Sequence, residues 1–181
     1  ESPERKPKKV LIADDEYMIC RLIQSLIPWE ELGLELAAMV SNGTEAKKFL
    51  SENSADILIT DARMPEGDGI ELVKWCHEQS MKMKYIVISG YRHFEYAHSA
   101  IKYGVDGYLL KPINQEELIG NLRDIIDKID EEKSHSDQKI RISKQIDQNR
   151  DKMRRHFISS YIFDGRDFQD RNIDCVQNIN E

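Results

Sequence analysis

The sequence predicts an α/β fold, a doubly wound parallel sheet of five strands with helices on both faces. Short, almost uninterrupted aliphatic runs recur five times between residues 9 and 110, and they alternate with stretches of helical periodicity. Strands that are apolar along their whole length are typical of parallel sheets that are buried on both faces. The helical stretches between them supply the crossover connections that parallel strands need.

Each element of this fold is predicted from one segment. The strands are predicted from KVLIA (9–13), LELAAMV (34–40), DILIT (56–60), YIVIS (85–89) and GYLL (107–110). The first four helices are predicted at Tyr17–Ile27, Thr44–Leu50, Ile70–Glu78 and Phe94–Tyr103. Pro28 ends the first helix and Gly104 the fourth, because Pro removes a backbone donor and Gly suits the position just past a helix.

A fifth helix is predicted to begin after Asn114, whose side chain suits an N-cap, with Glu116 and Glu117 in the first turn. From residue 131 the chain is polar and contains neither Gly nor Pro before Gly165. We therefore expect a C-terminal helical extension, with a coiled coil and a solvated single helix as the alternatives. The predicted organisation is a disordered lead-in (1–8), the α/β domain (9–130), a helical linker (131–163) and the start of a following region (164–181).

The composition argues against several classes of function. The 181 residues carry a formal net charge of −7, which is unfavourable for binding nucleic acid directly. No apolar run approaches the roughly 20 residues of a membrane span, so a cytoplasmic protein is expected. The three cysteines show no CxxC spacing, which argues against a zinc site or a disulfide framework, and Cys20 and Cys76 are expected to be packing residues.

Polar side chains stand at the ends of four predicted strands. Asp14 and Asp15 follow the first strand, Asp61 follows the third, Ser89 ends the fourth, and Lys111 follows the fifth. Because ligands of open α/β sheets bind outside the carboxyl ends of the strands, these side chains are expected to converge. Three carboxylates favour a hard divalent cation such as Mg²⁺. One of them could then act as a nucleophile toward a phosphoryl group, whose oxygens the ammonium and the hydroxyl would bind.

Four motifs in this order resemble the receiver domain of bacterial two-component response regulators. They are VLIADDE (10–16), ILITDARMPEGDGIEL (57–72), YIVISGY (85–91) and GYLLKPI (107–113). The resemblance covers residues 9–129 and implies a flavodoxin-like sheet with the strand order 2-1-3-4-5. It also implies that Asp61 is the phosphoacceptor, that Ser89 is the switch hydroxyl and that Lys111 is the phosphoryl-binding lysine. Tyr108 takes the switch-aromatic position, with ordinary packing as the alternative, and the bond before Pro112 is expected to be cis.

The same resemblance implies a Mg²⁺ site. Its ligands are expected to be Asp14, Asp15, Asp61 and the main-chain carbonyl of Arg63. Asp15 is expected to bind the metal directly, and Asp14 mainly through water. Gly67 stands where many members of the family have a bulky apolar residue, so the loop after Asp61 is expected to be more mobile than in those members.

A narrower resemblance concerns the segment Ser89–Ile113. Its aromatic spacing is similar to that of receivers that precede AraC-type helix-turn-helix output domains, and RRHFISSYIFDG (154–165) looks like their linker. The predicted function is a phosphorylation-dependent response regulator. A sensor histidine kinase would phosphorylate it, and it would dimerise through the fourth and fifth predicted helices and the extension. It would then control transcription through a DNA-binding output domain that residues 1–181 do not contain.

Two alternatives from other classes of function remain. A phosphoaspartate-type hydrolase would need a substrate pocket, a second acid/base carboxylate and usually a cap insertion, for which the short loops leave little room. A protein-binding module that works without phosphorylation would have no use for the complete set of acids, hydroxyl and lysine. The favoured prediction is therefore a regulator and not an enzyme.

Overall fold

Five strands form a single sheet in the computed structural model, which describes residues 6–90 and 102–136. The strands are β1 (Lys8–Ala13), β2 (Leu34–Val40), β3 (Ile57–Asp61), β4 (Lys84–Ser89) and β5 (Gly107–Leu110). All the pairings are parallel, and the order across the sheet is β2-β1-β3-β4-β5. The predicted fold class and strand order are confirmed, and every strand boundary lies within about one residue of its prediction.

The first, second, third and fifth predicted helices are present among the described residues. The observed helices are α1 (Tyr17–Leu26), α2 (Trp29–Leu32), α3 (Gly43–Glu52), α4 (Gly69–Glu78) and α5, which covers 115–136. Asn114 caps α5 as predicted, since its Oδ1 accepts a hydrogen bond of 3.0 Å from the Glu117 amide. The helix predicted at Phe94–Tyr103 falls almost entirely outside the described residues, and so does most of the predicted linker at 131–163.

The short helix α2 was not predicted. Pro28 ends α1 as expected, but it also directly precedes the new turn, which Gly33 closes at a φ of +62°. The Trp29 indole N–H donates to the Gln24 carbonyl at 2.8 Å and so holds this turn against the end of α1. A helix of four residues has too few positions to show a period, which is why the pattern did not indicate it.

The core lies on both sides of the three central strands. Residues 10–12, 57–59 and 86–88 of these strands are completely buried. On one side, α3 and α4 pack against the sheet through Ala46, Leu50, Leu72, Val73 and Cys76. Burying each large aliphatic side chain contributes about 1.5–3 kcal/mol, so the packing of the sheet is a major source of stability for the α/β domain. Cys20 and Cys76 are buried, as expected of packing residues.

The register of the strands brings their carboxyl ends to one edge. Asp61 pairs with Ile88 across β3 and β4, and Ser89 pairs with Leu110 across β4 and β5. Ala13, the last residue of β1, pairs with Thr60. The residues that follow these strand ends are therefore neighbours in space, although they are up to 97 positions apart in the sequence.

The chain divides into two compact units, residues 1–128 and 129–181. The functional site lies within the first unit. The predicted boundaries of lead-in, domain, linker and following region stay predictions. Among the described residues, no helix is both long enough and apolar enough to cross a membrane.

Candidate functional site

A cavity of about 500 Å³ opens at the edge where the carboxyl ends of the strands meet. Its wall includes Asp15, Glu16, Asp61, Arg63, Ser89 and Lys111. Five of these six residues were predicted to contribute to a site. Asp14, the remaining predicted metal ligand, lies behind the wall and is 1 % exposed.

The Lys111 ammonium is the centre of the charged network at this cavity. Its Nζ lies 2.8 Å from Oδ1 of Asp61 and 3.1 Å from Oδ2 of Asp14. The side chain of Lys111 is 20 % exposed, and both carboxylates are almost entirely buried. Charge-assisted hydrogen bonds of this length offset the repulsion that two buried carboxylates would otherwise exert on each other.

Asp14 is held from several sides at the end of β1. Its Oδ1 accepts a hydrogen bond of 2.9 Å from the Glu16 amide, and its own amide donates to the Val40 carbonyl at 3.1 Å. The Cys20 thiol lies 3.5 Å from the Asp14 carbonyl oxygen, to which it donates. Asp15, by contrast, is exposed and lines the cavity. The two adjacent acids therefore occupy different environments, because successive residues leaving a strand point in different directions.

Asp61 ends β3 and presents its carboxylate to the cavity. Its Oδ2 accepts a hydrogen bond of 2.9 Å from the Arg63 amide, while its Oδ1 contacts Lys111. Each oxygen keeps a further lone pair. The arrangement gives Asp61 a fixed orientation on the wall of a cavity that solvent can enter.

The pKa values of Asp14 and Lys111 reflect this network. Burial raises the pKa of the Asp14 carboxyl above its ordinary value, and the hydrogen bonds from Glu16 and Lys111 oppose the rise only in part. Burial by itself would lower the pKa of the Lys111 ammonium, but hydrogen bonds to Asp61 and Asp14 outweigh it and raise the pKa. Lys111 is therefore a cation throughout the neutral pH range.

Ser89 and Tyr108, the two predicted switch residues, lie on neighbouring strands. Ser89 ends β4, is 3 % exposed and lines the cavity. Tyr108 lies on β5 and is partly buried, packed against the core cluster on the side of the sheet that α3 and α4 cover. Its hydroxyl is buried and has no hydrogen-bond partner among the described residues. The Lys111–Pro112 bond is cis, as predicted.

The donor set fits a Mg²⁺ ion that keeps part of its water shell. The described residues contain no ready-made group of three or more His, Cys, Asp or Glu side chains in position to hold a metal. Asp15 and Asp61 nevertheless share the wall of one cavity, with Arg63 beside them. Because Mg²⁺ is usually bound by one or two carboxylates with water and phosphate oxygens in its other positions, this set suffices. The metal-binding roles of Asp14, Asp15, Asp61 and Arg63 stay predictions.

Glu16 is a site residue that sequence reasoning missed. In the structure it directly precedes α1, makes no side-chain cap and lines the cavity. Its Oε1 lies 3.7 Å from Nζ of Lys111. The only available signal was its position directly after the two acids.

Comparison with known proteins agrees with this geometry. Residues 10–123 match the family model of the response regulator receiver domain. YesN, a transcriptional regulatory protein of Bacillus subtilis, is 39 % identical over 139 residues, which are 77 % of this chain and 38 % of that protein. HptR, a transcriptional regulatory protein of Staphylococcus aureus, is 32 % identical over 110 residues, which are 61 % of this chain and 43 % of that protein. The chain thus spans about two fifths of the length of these relatives.

A solved structure shows the same fold. The receiver domain of AraT, a response regulator from Geobacillus stearothermophilus, superimposes with a TM-score of 0.66 at 38 % identity. The match covers 70 % of this chain and 98 % of that domain. The family match, the relatives and the sheet topology lead to one conclusion: this chain belongs to the family of response regulator receiver domains.

Proposed function

We propose that the chain is a phosphorylation-controlled switch in which Asp61 accepts a phosphoryl group from a sensor histidine kinase. The observation that carries the proposal is the position of the Asp61 carboxylate on the cavity wall, 2.8 Å from the Lys111 ammonium. A downstream DNA-binding output domain would read the state of the switch and control transcription, as the names of the relatives suggest.

The proposed transfer is a displacement at phosphorus. A carboxylate oxygen of Asp61 forms a bond to the phosphorus while the bond to the donor imidazole nitrogen breaks, and that nitrogen keeps the electron pair. The product carries about −1.5 to −2 charges at neutral pH. Lys111 is already in contact with the acceptor and would bind the negatively charged phosphoryl oxygens. The Ser89 hydroxyl lines the same cavity and would be a second hydrogen-bond donor.

Asp15 and Asp61, with Asp14 behind them and the Arg63 carbonyl beside them, would hold Mg²⁺. When bound there, Mg²⁺ would neutralise part of the charge on the phosphoryl oxygens during transfer. The main task of the chain's own residues is to orient the acceptor carboxylate and to place a cation beside it.

The response is proposed to travel through the two switch residues. Ser89 would move toward the phosphoryl group, and the ring of Tyr108 on the adjacent strand would follow. The unpartnered hydroxyl of Tyr108 favours this, since no hydrogen bond to the described residues has to be broken for the ring to turn. We propose homodimerisation through the predicted helix at 94–103, α5 and the helical extension as the readout.

The kinase is proposed to dock on α1. The chain is proposed to act in the cytoplasm. Tyr17, Met18 and Leu22 of this helix are 64 %, 75 % and 42 % exposed, and they are the large exposed hydrophobic residues of the described chain. The helix directly follows Glu16 on the cavity wall, so an apolar partner surface there would bring a phosphohistidine to the acceptor. Met18→Asp should slow transfer from the kinase and leave phosphorylation by a small donor unchanged.

The experiment is incubation of the chain with Mg²⁺ and acetyl phosphate, followed by intact mass and by sedimentation. We expect the mass to rise by one phosphoryl group and the dimer fraction to increase in wild type, with neither change in Asp61→Asn. Equal changes in both proteins, or no change in wild type, would contradict the proposal. Sustained turnover of a phosphate ester would instead support the hydrolase alternative.

A further inference from the structure

The first turn of α3 contacts the loop that follows Asp61. We call residues Ala62–Asp68 the acceptor loop. A Cβ atom built on Gly43, the first residue of α3, would lie 2.5 Å from the Gly67 carbonyl oxygen. The hydroxyl of Thr44 donates a hydrogen bond of 3.1 Å to the Glu66 carbonyl oxygen. Gly43 and Thr44 of the helix therefore contact Gly67 and Glu66 of the loop.

The acceptor loop has a conformation that needs such support. Glu66 has a φ of +55° and Gly67 a φ of +110°. A left-handed conformation costs a residue with a side chain roughly 1–2 kcal/mol, so Glu66 will keep it only where contacts hold it. The hydrogen bond from Thr44 acts on Glu66 itself, and Gly43, which has no Cβ, lets the Gly67 carbonyl approach the first turn of α3 closely.

The loop transmits this constraint to the acceptor. At its start, the Arg63 amide donates to Oδ2 of Asp61. At its end, the Gly69 amide donates to the Ala62 carbonyl at 3.2 Å, and a Cβ on Gly69 would collide with the Asp61 carbonyl oxygen. Because these contacts fix both ends of the loop, a displacement of residues 66 and 67 would also displace the Arg63 amide.

The beginning of α3 is itself rigidly capped. Asn42 accepts a hydrogen bond of 2.7 Å from the Glu45 amide, and the Glu45 carboxylate accepts from the Ser41 amide at 2.9 Å and from the Ser41 hydroxyl at 3.0 Å. These reciprocal bonds satisfy donors at the helix start and fix its first turn. Gly43 and Thr44 therefore lie in a helix turn whose backbone is held by these capping hydrogen bonds.

We infer that Gly43 and Thr44 are positioning residues for the acceptor: they hold the acceptor loop so that the Arg63 amide orients the Asp61 carboxylate. The inference rests on the proposed function for its effect on phosphorylation, but the contact itself can be tested without it. Neither residue touches the cavity, and sequence reasoning assigned neither a role.

The test compares Gly43→Ala, Thr44→Val and Thr44→Ser with the control Gly120→Ala. Gly120 lies in α5 with open space where a Cβ would go. Two measurements are made well below the melting temperature: the rate of phosphorylation by acetyl phosphate at saturating Mg²⁺, and the ¹H–¹⁵N resonance of the Arg63 amide. We expect Gly43→Ala to lower the rate roughly tenfold or more and Thr44→Val to lower it severalfold, since small misplacements of a reacting group are costly. Thr44→Ser and Gly120→Ala should react like wild type.

The Arg63 amide resonance should shift in Gly43→Ala and Thr44→Val but not in Thr44→Ser or Gly120→Ala. If Gly43→Ala does not fold, the comparison of Thr44→Val with Thr44→Ser decides. An unshifted Arg63 resonance in Thr44→Val, or a rate for Thr44→Ser as low as that for Thr44→Val, would overturn the inference. Absence of phosphorylation in wild type would refute the proposed function instead, and the amide resonance would still test the contact.

Discussion

Replacing Lys111 by Met removes the cation that two buried carboxylates share. The Lys111 ammonium lies 2.8 Å from Asp61 and 3.1 Å from Asp14, whose side chains are 9 % and 0 % exposed. Met keeps the length and much of the packing of the lysine stem. The substitution therefore isolates the loss of the charge and of its two hydrogen bonds.

The magnitude follows from these distances. At an effective dielectric constant near 20, the contacts of 2.8 Å and 3.1 Å correspond to roughly 6 and 5 kcal/mol of Coulomb attraction. Desolvation of the ammonium and repulsion between the carboxylates offset most of this attraction. Removing one partner of a buried ion pair typically costs about 3–5 kcal/mol. Because Lys111 is 20 % exposed, we expect a loss of about 2–4 kcal/mol in the free energy of unfolding.

The assay is urea unfolding of wild type, Lys111→Met, Asp61→Asn and the double variant, followed by circular dichroism. In the Asp61→Asn background, Lys111→Met should lower the free energy of unfolding by roughly 1–3 kcal/mol less than in wild type. The reason is that only the Asp14 carboxylate is then left without a counter-ion. The control is Lys74→Met, since the Lys74–Glu78 pair is exposed and its loss should cost less than about 0.5 kcal/mol. A coupling near zero between Lys111 and Asp61, or a loss no larger than in the control, would refute the reasoning.

The pH dependence of the same difference has a definite sign. The pKa of Lys111 is raised in the folded protein above its ordinary value of 10.5. Its stabilising effect is therefore complete below that value and is lost as the pH rises through the raised pKa. The difference in stability between wild type and Lys111→Met should stay constant from neutral pH to about pH 9 and shrink in strongly alkaline solution.

Three further predictions concern single groups at the site. Tyr108→Phe should leave the free energy of unfolding unchanged or raise it by up to about 1 kcal/mol, because the hydroxyl is buried without a partner among the described residues; a clear loss in urea unfolding would contradict this. Glu16→Gln should change stability by less than about 0.5 kcal/mol, since the carboxylate is 66 % exposed, but it should weaken Mg²⁺ binding severalfold in a fluorescence titration; unchanged Mg²⁺ affinity would remove Glu16 from the site. Chelation of Mg²⁺ with EDTA should abolish phosphorylation by acetyl phosphate without altering the circular dichroism spectrum, and undiminished phosphorylation would speak against the metal site.

The sheet was predictable because its signal is strong and redundant. Five apolar runs each mark a strand, and the three central strands are buried on both faces. The turns between the runs leave few alternatives for the order of the elements. The site followed from the sheet, since Asp61, Ser89 and Lys111 stand at strand ends that parallel pairing must bring together. The resemblance to receivers then supplied the strand order and the roles.

What was missed depends on side-chain direction or on contacts distant in sequence. The contact of Glu16 with Lys111 depends on how the chain turns between β1 and α1, and hydrophobic periodicity carries no information about such a turn. The contact of Thr44 with Glu66 joins positions 22 apart in sequence and involves a left-handed residue that is not glycine. The greater mobility expected from Gly67 stays a prediction; the structure gives Gly67 a φ of +110°, a backbone conformation that suits glycine.

The most direct test of the proposed switch is to locate the phosphoryl group. Wild-type chain phosphorylated by acetyl phosphate with Mg²⁺ is reduced with borohydride, which converts an aspartyl phosphate into homoserine, and is then mapped by peptide mass spectrometry. We predict homoserine at position 61 and unmodified aspartate at positions 14 and 15. Homoserine at position 14 or 15, or none at position 61, would contradict the assignment of Asp61 as the acceptor.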